Sequence, residues 1–148
     1  MQRDFALEAE ELFRSFATRH SLVIEKLDEP NVELLMRISA QRSLDFELTL
    51  GLQNTDELNI GFEKFWSYFF PFEKQRHNVE QALDGLMSGD TRLATHRQFG
   101  WVVKRVLEVC NGGTWKPIYH AYSVVQVPFI GTSISYLTNN KLSVPSPG

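Results

Sequence analysis

Along residues 43–53 the apolar side chains fall on one parity. Leu44, Phe46, Leu48, Leu50 and Leu52 alternate with Asp45, Glu47, Thr49 and Gly51. Strict period-two alternation predicts a half-buried β-strand. The stretch before it repeats the pattern, with Val32, Leu34, Met36, Ile38 and Ala40 on one parity and only Leu35 out of step. Joined through Gln41-Arg42, the two stretches predict an antiparallel hairpin with one apolar face, which the rest of the chain must cover. From Glu57 the alternation returns. Leu58, Ile60, Phe62, Trp66, Tyr68, Phe70 and Phe72 share a parity broken only by Lys64. Phe62, Phe65, Trp66 and Phe69 also fit a helical spacing, but the unbroken run from Leu58 and its aromatic content predict a strand, bent near Gly61. A regular strand over 57–72 leaves Phe65 and Phe69 on the outer face. Either the helices cover them or they form an apolar patch for a partner.

Elsewhere the period lengthens. Phe5, Ala9, Leu12, Phe13 and Phe16 recur as one helical stripe over 4–19, with Asp4 placed to cap it. Asn78 with Gln81 resembles a capping box, Val79, Ala82, Leu83, Leu86 and Met87 form a second stripe, and Gly89 suits a helix end. Short strands are predicted at 21–28, 91–98, 101–110 and 114–122. Residues 101–109 also fit a helical spacing, but β-branched content and the turn Asn111-Gly112-Gly113 favour a hairpin. Residues 123–140 have room for a further edge strand. The expected fold is α+β: a mostly antiparallel sheet of six to eight strands with two helices on one face. One domain spans 1–141, and residues 142–148 have the composition of a tail.

Composition adds little until charge is followed along the chain. The 148 residues are 43% hydrophobic and 22% charged, as in an ordinary soluble domain. No apolar run is long enough for a transmembrane helix, and the N-terminus leads into a charged pattern, so no membrane association is expected. The single cysteine, Cys110, cannot form an internal disulfide, and a cytoplasmic location follows as the expectation. Residues 1–90 carry 9 basic and 17 acidic side chains, a net of −8, whereas residues 91–148 carry 6 basic and one acidic, a net of +5. Either the two halves pack together and neutralise each other, or the second half presents an anion-facing surface.

Catalytic signatures are missing. His20, His77, His96 and His120 show no metal-ligand spacing, and no phosphate loop or dinucleotide fingerprint occurs. No catalytic residue, metal or cofactor is assigned. Cys110 in an apolar strand reads as packing. A regular hairpin across Asn111–Gly113 places Arg105 and His120 on one face, opposed or diagonal, where they could hold a small anion. The sequence of elements, with an aromatic-rich strand, one helix ending in Ser88-Gly89 and a second meander, resembles small bacterial α+β proteins of unassigned function, some of them similar to toxin-neutralising immunity proteins. The resemblance covers roughly 30–120 and carries over no residue. The expected function is a non-enzymatic binding protein acting through a protein partner or as a homodimer, with Phe65 and Phe69 in the interface. The alternative is a small-anion enzyme using Arg105 and His120. Nucleic acid is not expected as a partner, because the chain is net acidic and lacks a recognised module.

Overall fold

The computed structural model describes residues 3–124 and 126–139. The predicted tail at 142–148 lies outside them. Helix α1 (Phe5–Arg19) is followed by strands β1 (Glu25–Lys26), β2 (Leu34–Ile38), β3 (Leu48–Gln53), β4 (Glu57–Phe62) and β5 (Phe65–Trp66). Helix α2 (Phe72–Ser88) then leads to β6 (Thr91–Gln98), β7 (Trp101–Asn111), β8 (Thr114–Tyr122) and β9 (Ser133–Leu137). The fold is α+β and mostly strand. Its strands form two antiparallel sheets, ordered β1-β2-β3-β4-β5 and β8-β7-β6-β9, where the alternation predicts one. No helix among the described residues is long and apolar enough to cross a membrane.

The inner face of the first sheet follows the alternation, but the predicted junction at Gln41-Arg42 does not: β2 ends at Ile38 and β3 begins at Leu48, and Leu44 and Phe46 lie buried in the connection. Leu34, Leu52 and Leu58 stand side by side, then Met36, Leu50 and Ile60, then Ile38, Leu48 and Phe62. All nine side chains are buried. Each contributes roughly 1.5–3 kcal/mol of transfer free energy. Both helices cover this face: α1 packs on β2 and β3, and α2 on β4. The Asp4 carboxylate caps α1 by accepting from the Leu7 amide at 3.1 Å.

Helix α2 begins at Phe72, six residues before the predicted Asn78 start. Pro71 stands at its N-cap, outside the helical turns that its ring would clash with. The Asn78 amide donates to Gln75 within the helix and caps nothing. Gly89 ends α2 with φ of 87°, a left-handed cap that glycine takes without strain. At the same end α2 meets the second sheet closely. A Cβ on Gly85 would collide with the Thr91 side chain, whose hydroxyl donates to the Ala82 carbonyl at 2.8 Å. Leu93, Leu107 and Val109 extend the same core into the second sheet. On the other flank the Asn139 amide joins the sheets, accepting from the Asp45 amide and donating to the Ser43 carbonyl, both at 2.8 Å.

Candidate functional site

Phe65 and Phe69 are core residues, not a patch: they are 3% and 2% exposed. The predicted single strand is a hairpin. Glu63, with φ of 52°, and Lys64 turn the chain so that Phe62 pairs with Phe65. A two-residue turn joins an even to an odd position on one face, which inverts the parity beyond it. Phe65, Ser67 and Phe69 therefore point inward, while Tyr68 and Phe70 are exposed. Both buried rings meet Tyr119 of β8, with centroids 5.8 and 5.4 Å away. Burial raises the Tyr119 phenol above its ordinary range, against a smaller opposing hydrogen bond from the Tyr68 backbone.

Arg105 and His120 are also separated. Residues 101–109 form a strand paired to 114–122, as the Asn-Gly-Gly turn predicts, but the register slips by one residue between Leu107 and Glu108. Below the slip Glu108 faces Pro117. Beyond it Leu107 faces Tyr119 and Arg105 faces Ala121. Pro117 has no N–H for the ladder, and a β-bulge accommodates it. The bulge inverts the faces. Arg105 lies on the side of Leu107, whereas His120 lies with Val106 on the opposite side, its ring stacked 6.0 Å from Tyr122. The two residues do not form an anion site.

The side of the second sheet that bears His120 carries no helix. Its near half covers itself. The Arg92 guanidinium lies 4.0 Å from the Trp115 ring centroid and 3.9 Å from that of Tyr136, and its Nε donates to Glu108 at 2.8 Å. This stack shields buried Ala94 and Val106. His96 lies on the same side. Burial, then Lys104 and His120, hold its pKa below the ordinary value against an opposing pull from Glu108.

The far end of this sheet is not covered. The turn from β6 to β7 and the connection from β8 to β9 lie there together, and they expose Phe99, Trp101, Tyr122, Val127, Phe129 and Ile130. Phe99 is 76% and Trp101 72% exposed, and Phe129 is fully exposed. The end is nonetheless well built. Gln98, 3% exposed, accepts from the Val127 amide at 2.9 Å and donates to the Val127 and Ile130 carbonyls at 3.0 and 3.2 Å. Sequence periodicity misses these residues because they sit in or beside turns. The available signal was aromatic residues in turns, at Phe99-Gly100-Trp101 and Pro128-Phe129-Ile130, where no hairpin partner can cover them.

The charges complete the surface. Among the described residues no ion pair joins the first sheet to the second. Among the described residues Arg97, Lys104 and Arg105 make no ion pair; Lys104 lies with His96 on the side without a helix and Arg105 on the other, and Arg97 donates to the Ser135 hydroxyl at 2.8 Å. Two clefts hold the other polar groups of note. One, of about 480 Å³, brings His20, His77, Asp84 and Cys110 to its walls. There His20 Nε2 lies 2.7 Å and Arg19 Nη2 2.9 Å from Asp84 Oδ1. Burial opposes ionisation of Asp84, but these hydrogen bonds together hold its carboxyl below the usual range. The second cleft, of about 330 Å³, lies outside the first sheet between Glu47, Glu63 and Trp66. No family model, curated protein or solved structure matches the chain.

Proposed function

We propose that this chain is a non-enzymatic binding protein that acts through a protein partner, and that the partner docks on the far end of the second sheet. The observation that carries this reading is the group of large apolar side chains exposed together at that end. A contiguous apolar surface rimmed by charge is the usual form of a protein interface, with aromatic side chains as its anchors. The enzyme alternative has lost its residue basis, because the β8 bulge puts Arg105 and His120 on opposite faces.

The reading is tested by photo-crosslinking from positions 101 and 129, with exposed Val23 as the control position. Specific protein adducts are expected from 101 and 129 and none from 23. Adducts no stronger at 101 and 129 than at 23 would contradict it. The double substitution Trp101→Ser/Phe129→Ser should remove the interaction and leave the melting temperature unchanged, since neither ring is packed in the core.

A further inference from the structure

Resting on that reading, we infer that Phe99 and Phe129 are the anchors of the docking surface: two rings kept at backbone angles that bulky residues avoid, and so held out for apolar pockets on a partner protein. Among the described residues, six that are not glycine take positive φ. Four of them, Ser21, Asn54, Thr55 and Glu63, are polar. The other two are Phe99, with φ of 52°, and Phe129, with φ of 67°. At such angles Cβ crowds the following carbonyl oxygen, and large side chains are rarely found there.

The second sheet supplies its own comparison. Two-residue turns join paired Gln98 to Trp101 and paired Asn111 to Thr114. The second turn is Gly112-Gly113, with φ of 57° and 83°. Positive φ at both central positions suits a tight hairpin, and glycine, asparagine and aspartate supply it at least cost. The first turn repeats these angles, 52° and 81°, but puts Phe99 where the other has Gly112. The exposed Phe99 ring repays the fold with no packing in the core. A residue that breaks the local rule without helping the fold points to function. Backbone strain also persists only where the surroundings hold it. Buried Gln98, next to Phe99, does so for the second ring by bonding Val127 and Ile130 on either side of Phe129, and its amide also donates to the Thr132 hydroxyl at 3.4 Å. Rings fixed in this way have little freedom left to lose on binding. A fully exposed ring is buried only by a surface that closes around it, so the partner must offer pockets and not a flat face.

Phe99→Asn and Phe129→Asn test this, since asparagine tolerates positive φ and has no ring to dock. Each should raise the melting temperature by roughly 2–4 °C. Each should also cut the yield of protein adducts photo-crosslinked from position 101 on the order of tenfold or more. A variant that melts no higher than the wild type, or one that melts higher and crosslinks as before, overturns the anchor inference alone. Wild-type adducts no stronger from 101 and 129 than from 23 overturn the surface reading, and the anchors with it. Co-sedimentation of the wild type with phosphatidylcholine vesicles, lost in both variants, would assign the rings to a lipid surface and overturn the partner pockets.

Discussion

Phe65 and Phe129 show how little a residue's type says about its role without its place in a turn. One is an aromatic in a strand that a two-residue turn folds inward, and the other an aromatic in a turn that nothing covers. Phe65→Ala should therefore cost about 3–5 kcal/mol, the range for a deleted core ring. In a chain of this length that lowers the melting temperature by roughly 10 °C, measured by calorimetry. A loss under a few degrees would contradict its core placement. His96 supplies a second prediction. Its folded pKa lies below its unfolded value of about 6.5. Between the two values the unfolded chain holds a proton that the folded chain lacks, so this contribution is full above the unfolded value and is lost as pH falls. Asp84, Glu8 and Glu10, all held below their ordinary ranges, act in the same direction at lower pH: their contribution is present above the unfolded carboxylate value and is lost as pH falls through the folded one. Stability should fall on acidification from neutrality, and His96→Gln should flatten the first part of that fall in urea titrations at several pH values. An unchanged profile in the variant would rule out His96 as its source.

At the scale of elements, the sequence was legible where one period ran unbroken. The stripe over 4–19 became α1 with its Asp4 cap, and the alternation over 34–62 became the nine-residue apolar face of the first sheet. It was illegible where a local feature resets the phase. Glu63-Lys64 and Pro117 each shift parity by one, and both candidate sites from the sequence depended on parity carried past those points. Pro117 was the readable warning, since proline within a strand marks an edge or a bulge. The division into two sheets was hidden for a related reason. Alternation reports that a strand has an inner face but not which strand lies beside it. Gly85 joins α2 to the second sheet and gives a prediction at this scale. Gly85→Ala normally gains about 1 kcal/mol of helix propensity. Here the new methyl meets the Thr91 side chain, so the melting temperature should fall instead, by the equivalent of about 1–2 kcal/mol net of that gain. A rise would mean that the helix and β6 can move apart freely.

For the whole molecule, the uneven charge was visible in the sequence, but its consequence needed the structure. Among the described residues no ion pair joins the −8 half to the +5 half: Glu47 acts on Arg37 within the first, and Arg92 pairs with Glu108 within the second. Of the aromatic surplus, Phe62, Phe65, Phe69 and Phe72 fill the core, whereas Phe99, Trp101, Tyr122 and Phe129 are exposed at the end of the second sheet. An end that exposes several aromatic side chains should be a docking surface for a protein partner. The most direct test is photo-crosslinking from positions 101 and 129, with exposed Val23 as the control position. The account predicts specific protein adducts from 101 and 129 and none from 23. Adducts no stronger at 101 and 129 than at 23 would contradict it.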